Sequence, residues 1–148
     1  MPQSLVKNII HLVFSTKNRK NMIRVEDYED FRAFLIGVLS ECGCYLIELG
    51  GMGNHVHVLF ALNKNVSVSE IVGKIKANTS RWFHRRYGTD FSWQKGYGAF
   101  SVSQSKVEVV RTYIQNQEEH HRVKGFEEEF REFLKAYGLD WDEKYVWD

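Results

Sequence analysis

Residues 53–60 read GNHVHVLF and carry the most informative pattern of the sequence. On a β-strand, side chains two positions apart point to the same face, so the two valines and Phe60 share a face that can enter an apolar core. His55 and His57 share the other face. The alternation predicts a strand that packs through its apolar face and leaves both imidazoles together on an open face.

Other strand-like runs surround this segment. Residues 44–49 and 54–62 are separated by the turn sequence GGMG at 50–53, which predicts a hairpin. Earlier in the chain, residues 8–16 place apolar side chains on both faces, which predicts an inner strand. A further strand is expected at residues 99–104.

Two helices are expected between these strands. From Asp27 the apolar residues follow the i, i+3, i+4, i+7 spacing of an amphipathic helix, and Gly43 is placed to end it. Ser67 with Glu70 three residues later is a capping-box pattern, which opens a helix that runs to about Tyr87.

Two more helices are expected after the last strand. Ser105 with Glu108 repeats the capping pattern and starts a helix that continues through Gln117. Apolar residues from Phe126 to Tyr137 mark a final amphipathic helix. The complete order predicts an α+β ferredoxin-like split βαβ sandwich, an antiparallel sheet with helices on one face, extended by C-terminal helices.

Composition limits the kind of protein. A chain of 148 residues with 43% hydrophobic side chains and one proline is expected to form a single domain, residues 1–148. No apolar run resembles a signal peptide or a spanning helix, which favours a cytoplasmic protein without a membrane partner. Cys42 and Cys44 lack a second cysteine pair for a zinc site and are expected to be small core residues.

His55 and His57 are candidate metal ligands. Two neutral imidazoles on one face of a strand can bind one divalent ion. A lone His-x-His pattern is more often a pair of histidines with ordinary hydrogen-bond partners. These residues alone therefore do not identify a metal.

Tyr113 and Gln117 are the second candidate pair. Residues four apart on a helix lie on one face, so the phenol and the amide are expected side by side. A tyrosine hydroxyl can attack a phosphodiester, and an amide oxygen can complete the coordination of a metal beside two histidines. The alternative is that Tyr113 only packs at the edge of an apolar stripe.

Positive charge is concentrated in two groups although the net charge is only +1. The basic helix group is Lys74, Lys76, Arg81, Arg85 and Arg86, and the basic loop group is Lys17 and Arg19, with Lys20 and Arg24 nearby. Such groups suit phosphate contacts that position a nucleic acid without reading its bases. A solvated helix face explains the first group equally well.

Three further features have weaker interpretations. Trp93, Tyr97 and Phe100 could stack on bases or belong to the core. The histidines at 120–121 are expected to neutralise a helix dipole and are given no primary role. The acids at 127–129 start the last helix and are expected to form a solvated face.

Taken together, three segments resemble the HUH single-tyrosine transposases of the smallest bacterial insertion sequences, the insertion-sequence two-hundred type. They are residues 11–19 (HLVFSTKNR), 54–57 (NHVH) and 113–117 (YIQNQ), and residues 91–103 resemble the family segment before the tyrosine helix. The likeness runs over most of the chain. It implies an HUH endonuclease and transposase, an enzyme that cuts and rejoins single-stranded DNA.

The resemblance also implies roles for single residues. His55, His57 and Gln117 would bind a catalytic divalent ion, and Tyr113 would form a 5′ phosphotyrosine during excision and insertion of a small element. With nitrogen and oxygen ligands mixed, Mg²⁺ or Mn²⁺ is the expected ion. The implied substrates are hairpins at the ends of the element. The implied assembly is a homodimer in which the tyrosine helix of one subunit serves the histidines of the other.

Other functions stay open from the sequence. A replication initiator or relaxase of the same superfamily is possible, although such chains are usually longer, and a repurposed host nuclease fits as well. From a different class, the chain could be a non-catalytic ferredoxin-like nucleic-acid binder that uses its basic helix and exposed aromatics. A small metal-binding regulator is the third alternative.

Overall fold

A four-stranded antiparallel sheet forms the centre of the computed structural model, which describes residues 2–121 and 123–148. The strands lie in the order β2-β3-β1-β4, so β1 and β3 are the inner strands. Their bounds are β1 (Ile9–Ser15), β2 (Tyr45–Gly51), β3 (His55–Ala61) and β4 (Gly98–Val102). Every expected strand is present, with ends that differ from the prediction by at most two residues.

Five α-helices accompany the sheet within the described residues. Their bounds are α1 (Tyr28–Glu41), α2 (Val68–Tyr87), α3 (Val107–Gln115), α4 (Gln117–His120) and α5 (Phe126–Ala136). The order β1-α1-β2-β3-α2-β4 with this strand order is the ferredoxin-like arrangement, and three helices are added after it. The predicted fold class is therefore confirmed.

Helices α1 and α2 cover one face of the sheet. The apolar side of β3 enters this core, as the alternation along residues 53–60 predicted. The buried side chains from the two central strands are Ile10, Leu12, Phe14, Val56, Val58 and Phe60. Each fully buried side chain of this size contributes roughly 1.5–3 kcal/mol, so this layer fixes the rotation of β3. That rotation places His55 and His57 on the opposite face.

Helices α3 and α5 cover that opposite face, so the expectation of an open histidine face is wrong. Ile114 of α3 packs in a buried cluster with Leu59 of β3. Phe126 and Phe130 of α5 pack in another with Val13 of β1. The apolar stripes of the C-terminal helices need a partner surface, and this face of the sheet supplies it. The two histidines therefore lie inside the molecule.

The two capping predictions have different outcomes. Ser67 and Glu70 form a complete capping box at the start of α2, as expected. The box predicted at Ser105 is wrong, because residues 104–106 form a 3-10 turn and α3 begins without a side-chain cap. Helix α3 also ends at Gln115, and Gln117 begins α4 after a break at Asn116.

Gly50 lets the tyrosine-bearing helix approach the sheet edge. Strand β2 continues through Gly51, so the hairpin turn is shorter than predicted and Gly50 belongs to the strand. A Cβ atom at Gly50 would lie 2.5 Å from the backbone oxygen of Ile114 in α3. Only glycine permits this approach without a shift of the helix. Among the described residues, every helix is too short or too polar to cross a membrane.

Candidate active site

His55 and His57 lie at the start of β3 and are completely buried. Each Nδ1 atom has a partner, Asn54 Oδ1 at 2.8 Å for His55 and His11 Nε2 at 2.8 Å for His57. Both Nε2 atoms are directed towards the C-terminal helices, at 3.7 Å and 3.0 Å from Glu129 Oε1. Adjacent hydrogen-bonded groups of this kind fix ring orientation in metal sites.

Glu129 of α5 is the residue on which the site converges, and it was not among the site residues predicted from the sequence. The residue is only 2% exposed, so the expectation of a solvated acidic face is wrong for this member of the 127–129 run. One oxygen accepts from His57, and the other accepts from the hydroxyl of Tyr113 and from Gln117 Nε2 at 3.3 Å. The available signal was its i, i+3 spacing from Phe126, which places both on the inner face of α5.

Tyr113 brings a hydroxyl into this cluster from α3. Its ring lies edge-on to His57, with 5.9 Å between ring centroids, and stacks on His120 at 4.4 Å. Burial and the neighbouring Glu129 carboxylate raise the pKa of Tyr113 well above its usual value. The phenol is therefore held protonated, with its oxygen fixed by the hydrogen bond to Glu129.

Gln117 joins the same cluster, although it lies on a separate helix from Tyr113. Its Oε1 atom is 2.9 Å from His55 Nε2 and 3.0 Å from His121 Nε2. The expected proximity of Tyr113 and Gln117 therefore exists, because both reach Glu129. His121, which was given no primary role, belongs to the cluster: its ligand atom, that of His55 and that of Glu129 lie within 4.8 Å of one another.

Hydrogen-bond accounting around His55 indicates a place for a cation. Asn54 Nδ2 donates to Arg19 O at 3.4 Å, which directs Asn54 Oδ1 towards His55 Nδ1. Gln117 Nε2 donates to Glu129, which directs Gln117 Oε1 towards His55 Nε2. A neutral imidazole has one N–H, so it can donate to only one of these two oxygens. At the other contact, an imidazole nitrogen without a proton faces an amide oxygen, so two hydrogen-bond acceptors meet.

A second proton on His55 would let both ring nitrogens donate, but protonation of this imidazole is unfavourable. Burial, followed by the neighbouring His57, lowers the pKa of His55 to about 3. A divalent ion bound to Nε2 would satisfy that nitrogen and the amide oxygen, with Nδ1–H donating to Asn54. The donor set of imidazole nitrogens and side-chain oxygens is one that divalent metals accept. The residues present therefore fit a bound cation.

Comparison with known families identifies the chain. The family described as "Transposase IS200 like" matches residues 4–117. This chain belongs to the IS200-like transposase family. The match ends at Gln117, so Glu129 and the rest of α5 lie beyond the matched residues.

Solved structures share the fold of this transposase. A candidate transposase from Deinococcus radiodurans R1 is 22% identical with a TM-score of 0.60, covering 79% of this chain and 98% of its own. A REP-associated tyrosine transposase bound to a REP hairpin is 16% identical with a TM-score of 0.61, covering 82% of this chain and 73% of its own. No curated protein sequence matches the chain.

The basic helix group lies on the other side of the sheet from this site. Helix α2 packs on the face opposite to Tyr113, and Lys74, Arg81 and Arg85 are exposed there. Lys76 is instead bound to the backbone oxygens of residues 94–96, and its ammonium is 2.6 Å from Gly96 O. Arg86 is paired with Asp30 at 2.6 Å. Arg81 contacts Asn78 at 2.8 Å, so among the described residues Lys74 and Arg85 are the members of this group without a side-chain partner.

The basic loop group lies nearer the site. Lys17 is exposed after β1, and Arg19 pairs with Glu127 at 2.8 Å. Among the aromatics considered for base stacking, Trp93 and Phe100 are core residues. Tyr97 is 38% exposed and is the one that offers an accessible ring.

Glu48 anchors the tyrosine helix to the edge strand. This carboxylate is 3% exposed and lies next to a register shift in the pairing of β2 with β3. It accepts hydrogen bonds from Arg111 at 3.3 Å and from Gln115 at 2.9 Å, two residues on either side of Tyr113. Arg32 of α1 pairs with its other oxygen. The contact fixes the rotation of α3 and hence the direction of the Tyr113 side chain.

Proposed function

We propose that this transposase cuts and rejoins single-stranded DNA, with Tyr113 as the nucleophile. In this proposal His55, His57 and Gln117 are ligands of one divalent cation, Mg²⁺ or Mn²⁺. The observation that carries it is the meeting of the Tyr113 hydroxyl and the His57 imidazole on one buried carboxylate. A nucleophile and a ligand set are thereby adjacent within one cluster.

The proposed reaction is a transesterification at phosphorus. The Tyr113 oxygen forms a bond to the phosphorus and loses its proton, while the bond from phosphorus to the 3′ oxygen breaks and that oxygen gains a proton. The products are a 5′ phosphotyrosine and a free 3′ hydroxyl. Attack by another 3′ hydroxyl reverses the step and restores a phosphodiester, so excision and insertion need no external energy source.

A bound divalent cation supplies positive charge that stabilises a phosphate in its transition state. The contribution of the protein's own residues is to position the metal ligands and the nucleophile. Asn54 and His11 orient the two imidazoles, Glu129 orients the Tyr113 oxygen, and Glu48 fixes the helix that carries it. The apolar contacts of α5 exclude water from the buried side of the site.

The proposed DNA partner is a single strand that forms hairpins at the ends of the element. A structural neighbour bound to a REP hairpin supports a hairpin substrate. For phosphate contacts we propose the basic groups named from the sequence, Lys74, Lys76, Arg81, Arg85, Arg86, Lys17 and Arg19. Exposed Lys17, Lys74 and Arg85 are the first members to test, because Lys76, Arg81, Arg86 and Arg19 already have protein partners.

The assembly proposed from the family resemblance is a homodimer that exchanges tyrosine helices. Within the single chain, however, Tyr113 already reaches the carboxylate next to its own His57. A mixture of Tyr113→Phe and His57→Ala proteins separates the two arrangements. Recovered cleavage shows that Tyr113 serves the partner's histidines, and no recovery with each variant folded shows that it serves its own.

The test of the proposed function is covalent capture. Wild-type protein and Tyr113→Phe are incubated with labelled single-stranded oligonucleotides from the flanks of the gene, with Mg²⁺ or Mn²⁺, and run on denaturing gels. A metal-dependent, SDS-resistant adduct is expected for the wild type and not for the variant. Retained DNA binding without any adduct would instead favour the non-catalytic binder.

A further inference from the structure

The Glu129 carboxylate occupies the position where the candidate metal ligands converge. Oε1 lies 3.0 Å from His57 Nε2 and 3.7 Å from His55 Nε2. Gln117 and His121 approach Oε2, at 3.3 Å and 3.5 Å. The residue comes from α5, outside the residues that the family matches.

A carboxylate this deeply buried needs compensating positive charge. Transfer of an ion from water to a protein interior costs several kcal/mol even after relaxation. Among the described residues of α5 and the loop before it, Lys124 pairs with Glu132 and Arg131 pairs with Glu143. Within the described part of the chain, the groups that contact Glu129 are imidazoles, an amide and a phenol, none of which carries a permanent positive charge.

The candidate ligand set has the complementary deficit. His55, His57 and Gln117 supply two nitrogens and one neutral oxygen, with no negative charge to balance a dication. Hard cations such as Mg²⁺ and Mn²⁺ prefer oxygen ligands, and anionic oxygens most of all. A dication bound beside the carboxylate would supply the positive charge that Glu129 needs, and Glu129 would supply the negative charge that the ligand set needs.

We propose that Glu129 is a fourth protein ligand of the divalent cation, which would complete a set with His55, His57 and Gln117. The inference rests on the metal site of the proposed function. It adds that metal affinity depends on α5, a helix that the family motif does not include. The hydrogen bond from Tyr113 then places the nucleophile next to a ligand, which ties α3 to the metal site.

The experiment measures Mn²⁺ binding directly, by calorimetry and by the electron paramagnetic resonance signal of free Mn²⁺. Wild type is compared with Glu129→Gln, which removes the charge and preserves the shape. Glu128→Gln, an exposed neighbour on the same helix, is the matched control. Tyr113→Phe and His57→Ala complete the set, and circular dichroism checks folding.

Glu129→Gln is expected to weaken Mn²⁺ binding by more than about 100-fold, because even the outer-shell partners of metal ligands account for about 10- to 100-fold. Glu128→Gln is expected to stay within about threefold of the wild type, because Glu128 is exposed and no ligand or outer-shell partner is lost. Tyr113→Phe removes an outer-shell hydrogen bond to Glu129 and is expected to weaken Mn²⁺ binding less than Glu129→Gln does. Should Glu129→Gln fail to fold, Glu129→Asp keeps the charge, and its visible spectrum with Co²⁺ should differ from that of the wild type.

The outcomes separate this inference from the function on which it rests. Mn²⁺ affinity unchanged in Glu129→Gln but lost in His57→Ala would overturn the ligand role and leave the proposed function standing. If Glu129→Gln loses Mn²⁺ affinity but the wild type forms no DNA adduct at Tyr113, Glu129 is supported as a ligand. The assignment of Tyr113 as the nucleophile is then contradicted. A wild type that binds no Mn²⁺ would overturn both.

Discussion

Acid should destabilise this protein through its buried histidines. Burial, with His57 as the next cause, lowers the pKa of His55 to about 3, whereas an imidazole in the unfolded chain titrates near its ordinary value of 6.5. Between these values the unfolded state binds the proton and the folded state does not. The free energy of unfolding therefore contains the full contribution of neutral His55 above about pH 6.5. It decreases as the pH is lowered from there towards the pKa of the folded state.

The size of the effect follows from the two pKa values. At pH 5.0 the unfolded His55 is stabilised by its proton by about 2 kcal/mol, at about 1.4 kcal/mol for each pH unit below 6.5. His11, whose pKa is also well below the ordinary value because of burial and its neighbour His57, adds a loss of the same sign. Since native domains are stable by about 5–15 kcal/mol, the loss is a substantial part of the total.

Urea denaturation at pH 7.5 and pH 5.0, in EDTA to remove metal, measures the loss. His55→Gln lacks the titrating group. Its free energy of unfolding should therefore decrease between pH 7.5 and pH 5.0 by about 2 kcal/mol less than that of the wild type, whatever its stability at pH 7.5. Identical pH losses in the variant and the wild type would refute the account of His55. So would a wild type with equal stability at both pH values.

Three other predictions concern the tyrosine helix and the DNA surface. Gly50→Ala should lower the rate of adduct formation, because its Cβ would lie 2.5 Å from Ile114 O and displace α3. An unchanged single-turnover rate would contradict this, with Gly37→Ala, a glycine with open space around it, as the control. Glu48→Ala should cost about 1–3 kcal/mol of stability in urea denaturation, because the hydrogen-bonded groups of α1 and α3 lose their acceptor, and a change below about 0.5 kcal/mol would argue against the anchor. Arg85→Ala should reduce the slope of log binding constant against log salt by about 0.7 for a single strand, measured by fluorescence anisotropy, and an unchanged slope would remove Arg85 from the DNA surface.

The central part of the fold could be predicted from local patterns. The alternation at residues 53–60 and the capping box at Ser67 both depend on neighbours in sequence, and both are confirmed. The box at Ser105 failed because a 3-10 turn occupies the residues that would have capped α3. Local capping patterns do not show which backbone geometry the preceding loop imposes.

The candidate site was only partly predictable. His55, His57, Tyr113 and Gln117 were named from spacing and resemblance, and the fold brings them together. Glu129 was missed because acids at the start of a helix usually serve the helix dipole in solvent. Its spacing from Phe126 places Glu129 on the inner face of α5, but the approach of that face to the histidines is a long-range contact that local spacing does not predict. The open histidine face was wrong for the same reason.

The position of the covalent bond in a trapped DNA adduct would show whether Tyr113 is the nucleophile. Trypsin releases residues 112–122, TYIQNQEEHHR, a peptide with Tyr113 as its only tyrosine. Mass spectrometry of the nuclease-treated adduct should find the added nucleotide phosphate on this peptide, and fragmentation should place it on Tyr113. An adduct located on any other residue would contradict the assignment of Tyr113 as the nucleophile.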